Sequence, residues 1–68
     1  MKHKSGKQMA ALARENGWVF VSQKGSHAKF RNPITGRMAI IPIHGNQLLC
    51  TGTQRTIMRN LGITDADL

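Results

Sequence analysis

Acidic residues are scarce. Three Asp and Glu stand against ten Lys and Arg, a formal net charge of +7 over 68 residues. Glu15 is the only acid before Asp65, so Lys24, Lys29, Arg31, Arg37, Arg55 and Arg59 have no acidic neighbours in sequence. A field this unbalanced attracts polyanions and speeds their encounter. Cysteine is nearly missing. Cys50 stands alone and cannot form an internal disulfide, so nothing points to an oxidising compartment. It reads as a plain loop or helix-start residue. Long apolar runs are missing too. No stretch approaches a membrane span, and no apolar run follows the basic start to make a signal peptide. A cytoplasmic protein is the expectation. No basic amphipathic helix has a broad apolar face, which favours nucleic acid over an anionic membrane as the polyanion. Metal donors are few. Three histidines without ligand spacing, three acids and one thiol make no zinc or magnesium site. A chain this short buries only about 60% of its unfolded surface, which excludes a deep pocket for a large cofactor.

What is present reads as one domain over residues 1–68. Residues 1–4 carry Lys2, His3 and Lys4 without apolar periodicity, and predict a flexible basic arm, with a merely frayed terminus the favoured alternative. The domain itself spans residues 5–63. Ser5 and Gln8 fit a capping box, and Met9, Leu12 and Ala13 recur at helical spacing. A helix over Ser5–Asn16 is predicted, stopped by Gly17. Trp18–Gln23 is dense in Val and Phe and predicts a strand. Trp18, Phe20 and Ser22 would share one face, with Val19, Val21 and Gln23 on the other. Both faces are apolar, so alternation leaves the inward one open. Trp18 offers a stacking platform for a base, but directly after a helix stop a core position is favoured. Lys24-Gly25 makes a turn. Asn32-Pro33-Ile34-Thr35-Gly36 makes another. Met38–Ile43 predicts a third strand, with Pro42 near its end or on a sheet edge, since proline cannot donate to a ladder. Thr51 and Gln54 suggest a second capping box. The helix then runs to Leu61 on an Ile57, Met58, Leu61 stripe, with Gly62 as its stop and Ile63 folded back. Residues 64–68 form a short tail.

The order is helix, three hairpin-connected strands, helix. It predicts an α+β domain: a three-stranded antiparallel sheet with both helices on one face.

The stretch Gln23-Lys24-Gly25-Ser26-His27-Ala28-Lys29-Phe30-Arg31 carries the chemistry. By strand alternation, Ser26, Ala28 and Phe30 share a face that can lie on a core. His27, Lys29 and Arg31 share the other, toward water. Histidine alone changes charge near neutral pH unaided. An imidazole flanked by two cations suits a site that holds a phosphate and moves a proton beside it. On these residues alone, a solvent-facing turn histidine without a role is the favoured reading.

The sequence resembles the HicA family of small toxins. The resemblance rests on Gly17-Trp18, on Gln23-Lys24-Gly25-Ser26-His27 with Lys29-Phe30, on Ile41-Pro42-Ile43-His44-Gly45-Asn46, on Gly52-Thr53 and on the run Ile57–Ile63. It covers nearly everything from Lys7 to Ile63. It implies a fold like a double-stranded-RNA-binding domain and an endoribonuclease that cleaves messenger RNA. It also implies neutralisation by a HicB-like antitoxin, and a single catalytic histidine, to which His27 corresponds. Two departures stand out. Ala28 replaces a second histidine that many members carry, and Thr51 replaces a proline that often opens the last helix. By alternation Ala28 points away from His27, so little catalytic loss is expected.

Cleaving RNA without a metal needs a base for a 2′-hydroxyl proton and positive charge for the phosphoryl oxygens. His27 suits the first role; Lys24, Lys29 and Arg31 suit the second. Gly25 and Ser26 let backbone approach the ligand. His44 is a further candidate, as an acid for the leaving oxygen or a phosphate donor, or else an edge histidine bonded to loop backbone. The alternative is a noncatalytic RNA- or DNA-binding module on the same fold.

Overall fold

The computed structural model describes residues 2–68. Met1, the first residue of the expected arm, lies outside them. Helix α1 spans Gly6–Glu15, strands β1, β2 and β3 span Val19–Lys24, His27–Arg31 and Met38–Pro42, and helix α2 spans Thr51–Leu61. The strands form one antiparallel sheet in the order β1-β2-β3. Both helices cover the same sheet face, as in a double-stranded-RNA-binding domain.

Helix α1 starts as its sequence demands. The Ser5 hydroxyl accepts the Gln8 N–H at 3.2 Å, and the Gln8 side chain accepts the Ser5 N–H at 2.8 Å. Two orphan donors of the first turn are thereby satisfied. Met9, Ala10 and Ala13 are buried and Leu12 is partly so. Gly6 lies so close to β3 that a Cβ there would run into the Pro42 carbonyl oxygen.

The centre strand alternates cleanly. Ala28 and Phe30 are fully buried beneath the helices, joined by Ala39 and Ile41 of β3. His27, Lys29 and Arg31 are exposed on the other face. Pro42 sits at the end of an edge strand, where its missing N–H breaks no ladder. The core closes with Met9, Phe30, Ile41, Ile57, Met58, Leu61 and Ile63. Trp18 is buried, and its indole N–H donates to the Leu61 carbonyl at 3.3 Å. That carbonyl is one of the four a helix leaves unpaired at its C-terminus. Gly62, at φ +74°, ends α2 in the left-handed conformation, and the Ile63 N–H returns to the Met58 carbonyl at 3.0 Å.

Three local expectations are corrected. Thr51 and Gln54 form no capping box: the residue flanking α2 is Cys50, and among the described residues no side chain caps the helix. Gln54 is instead fully buried. Its amide N–H donates to the Lys2 carbonyl at 2.6 Å and its amide oxygen accepts the Lys4 N–H at 2.8 Å. The stretch expected to be a loose arm is therefore tied to α2 from Lys2 to Lys4, and the Leu49 N–H adds a bond to the Lys4 carbonyl at 2.8 Å. The third correction concerns β1. Phe20 pairs with Phe30, but Ser22 pairs with Lys29, so Val21 is an extra residue in a β-bulge. The bulge moves Ser22 off the face of Phe20. After α2, Asp65–Asp67 is wound into a short 3-10 turn, at whose start the Thr64 N–H donates to the Asp67 carboxylate at 2.7 Å.

Candidate nucleic-acid site on the open sheet face

The sheet face away from the helices carries the sequence-predicted residues in register. Lys24 stands directly opposite His27, and Pro42 flanks His27 on the other side. One step along, Ser22, Lys29 and Ile40 form a second row; Val19, Arg31 and Met38 form a third. Opposed side chains in antiparallel pairs lie about 4.5–5.5 Å apart at Cβ. Alternate residues along a strand are separated by roughly 7 Å. His27, Lys24, Lys29 and Arg31 thus make one compact array of an imidazole and three cations. Each is exposed to solvent.

Two local features aim this array. The β1–β2 hairpin closes through two residues, Gly25 and Ser26. Gly25 has φ +59°, the left-handed first position of a type II′ turn, open to glycine at no steric cost. The tip is fastened by Gln23, whose amide N–H donates to the Gly25 carbonyl at 3.0 Å. The Ser26 carbonyl accepts the Ile43 N–H at 2.7 Å. The second feature is the Val21 bulge. A regular ladder continued from the Phe20–Phe30 pair would set Gln23 opposite His27. The extra residue sets Lys24 there instead.

His44 lies beyond β3 on an exposed loop. Its side chain and that of Pro42 line a cleft of about 180 Å³ with Leu48, Cys50 and Thr53, at the start of α2. It follows the end of β3, two residues past the Pro42 that pairs with His27, and is not part of the cation array. Gly25 and Ser26 form the tip, with Ser26 half-buried. Sequence reasoning missed Ser22, which the bulge delivers beside Lys29. It also missed the apolar margin: Val19, Met38 and Ile40 are 54%, 45% and 51% exposed on this face. Period-two alternation in Met38-Ala39-Ile40-Ile41 was the available signal for the last two.

Among the described residues, no three His, Cys, Asp or Glu side chains gather as a metal site requires. Nor is any described helix long and apolar enough to cross a membrane.

A family model described as "HicA toxin of bacterial toxin-antitoxin" matches residues 6–63 of the chain. That span runs from the first residue of α1 through the residue that folds back after α2. No curated protein matches the sequence.

Proposed function

The chain belongs to the HicA toxin family, and on that footing we propose that it is an endoribonuclease that cuts messenger RNA without a metal, using His27 as general base. Membership makes it the toxin half of a toxin–antitoxin pair, in a family whose members are generally ribonucleases. The observation that carries the finer reading is the cross-strand register. It pairs His27 with Lys24 and lines it up with Lys29 and Arg31 on one uncovered sheet face.

In the proposed reaction, an RNA phosphate lies across the array. His27 takes the proton from the neighbouring 2′-hydroxyl. The 2′-oxygen bonds to phosphorus as the bond from phosphorus to the 5′-oxygen breaks. Negative charge growing on the phosphoryl oxygens is met by Lys24, Lys29 and Arg31, whose backbone positions the sheet sets. The backbone at Gly25 and Ser26 approaches the phosphate, where glycine leaves room. The departing 5′-oxygen takes a proton from water or from His44. The products are a 2′,3′-cyclic phosphate and a 5′-hydroxyl.

The antitoxin is proposed to be HicB-like, acidic, and seated on the same face. Cations would steer it and Val19, Met38 and Ile40 would supply apolar contact.

The test is cleavage of a defined RNA in excess chelator, beside the same RNA with hydrogen replacing the 2′-hydroxyl at the cut. Cutting of the first alone, leaving a cyclic phosphate or the 3′-phosphate it hydrolyses to, is the expected result. Binding without cutting would leave the noncatalytic RNA-binding module. Activity lost in chelator and restored by magnesium would require another mechanism.

A further inference from the structure

We propose that the groove between α1 and the β1–β2 hairpin is a base-binding subsite, which takes one nucleobase of an RNA strand that crosses the β1 edge to reach His27. The choice of ligand rests on the RNA-cleaving reading above; the geometry rests on different residues, on the opposite side of the sheet.

The groove has a volume of about 290 Å³. Its floor is Ala28 and Phe30. Its wall is Phe20, which remains 42% exposed although its ring packs edge-on against Phe30 at 5.7 Å. The Arg14 guanidinium reaches over both rings, 6.0 Å from the Phe20 centroid and 5.5 Å from that of Phe30. Lys7 lines the same groove two turns earlier on α1. Among the described residues, no acidic side chain lines it. Gln23 completes the wall; its bond to the Gly25 carbonyl fixes the amide and leaves the amide oxygen and a second N–H hydrogen unused by that contact.

A nucleobase matches each part of this groove. It has flat apolar faces for Phe20 and the guanidinium, a hydrogen-bonding edge for Gln23, and a phosphate on either side for Lys7 and Arg14. An acidic protein side chain would match the two cations but leave the Phe20 ring uncovered. The connection to His27 is short. Gln23 and Lys24 are neighbours on an edge strand, and their side chains go to opposite faces. Gln23 lines the groove, and Lys24 stands opposite His27. A single strand passing over the β1 edge at this point meets both. The groove would then hold a nucleotide flanking the scissile bond and set which sequences are cut.

The experiment is amide NMR of full-length His27→Ala protein titrated with each of the four nucleoside 5′-monophosphates, with ribose 5-phosphate as control. Shifts at Phe20, Gln23 and Ala28 that differ among the bases and are absent with ribose 5-phosphate are expected. Phe20→Ala, shown to be folded by its spectrum, should weaken nucleotide binding about tenfold, the loss of one base–aromatic stack. Gln23→Ala, at an exposed position, should reorder the preference among bases. Equal shifts with ribose 5-phosphate would reduce the groove to a phosphate contact and overturn the proposal. So would groove shifts produced by an acidic peptide but by no nucleotide. Cleavage maps on a mixed-sequence RNA separate the two readings. Cut sites unchanged in both Phe20→Ala and Gln23→Ala sink the subsite and leave the nuclease. Base-selective binding by a parent that never cuts sinks the nuclease and leaves the subsite.

Discussion

Gly6 and Pro42 meet backbone to backbone: the space where a Cβ of residue 6 would stand is already held by the Pro42 carbonyl oxygen and the Ile43 Cα. This contact seats the first turn of α1 on the end of β3, beside the strand position that faces His27. Alanine is the better helix former by about 1 kcal/mol. Here the clash is with backbone, which cannot swing aside, and overpacking of a fitted interface costs about 1–3 kcal/mol or more. Gly6→Ala should therefore lower stability despite its helix propensity. A urea melt checks this; a midpoint at or above the parent's would show that α1 can shift without cost.

His27→Ala should separate chemistry from folding. The side chain is exposed on a face with no helix over it. Surface substitutions away from caps and cores usually change stability by less than about 0.5 kcal/mol. RNA affinity should stay near the parent's because Lys24, Lys29 and Arg31 remain. The cleavage rate should fall on the order of 10²–10⁴-fold, the usual loss of a general base. A variant that melts like the parent and still cuts RNA like the parent removes His27 from the mechanism.

Lys29→Ala should behave differently. It should weaken RNA binding and slow cleavage together. With about four phosphates neutralised, the parent's log–log salt slope on single-stranded RNA should be about −3, and the variant's shallower by about 0.7. Binding titrations over a range of salt give both slopes. Affinity independent of salt would argue against any phosphate-led interface on this sheet.

Gln54→Leu should cost stability through hydrogen bonding. The side chain is fully buried, and its amide serves the Lys2 carbonyl and the Lys4 N–H. Leucine is close in volume but leaves both backbone groups without that partner, at about 1–3 kcal/mol for each that stays buried. The loss should be read as a lower melting temperature, with faster hydrogen exchange at Lys4. Unchanged protection at Lys4 would mean that the bond to Leu49 suffices to hold the segment.

Antitoxin association should slow as ionic strength rises, since cations on the His27 face would steer an acidic partner. Stopped-flow mixing at several salt concentrations measures it. A complex in which the partner leaves His27 open and RNA cleavage intact would put the docking surface elsewhere.

Much of this architecture was legible in the chain. The Ser5–Gln8 box, the Gly62 stop and the faces of β2 follow from local rules, because each depends on residues within one or two turns of one another. The centre strand was clearest: it is covered on one face only, so its alternation is unambiguous. β1 was not. It is an edge strand exposed along all six residues, so no buried face fixes its phase. Val21, with no glycine beside it to mark a bulge, gave no local sign of the extra residue. The roles of Gln54 were equally hidden, since its partners lie 50 and 52 residues away. At the site, His27, Lys29 and Arg31 needed only strand period to be grouped. Lys24 joined them through the turn, while its strand register past the Val21 bulge and the Arg14–Phe20–Gln23 groove needed distant parts of the chain brought together.

The bond from Trp18 to the Leu61 carbonyl ties a residue near the start of the fold to the last residue of α2. Synthesis from the N-terminus delivers these two ends at very different moments. While the ribosome still holds the second helix, α1 and the hairpin have no lid over Phe30 and Ile41, and the sheet that carries His27 has only half of its support. The domain therefore closes only after α2 has left the ribosome. The proposed RNA-cutting face would accordingly lack half of its support in any nascent chain that has not yet released α2.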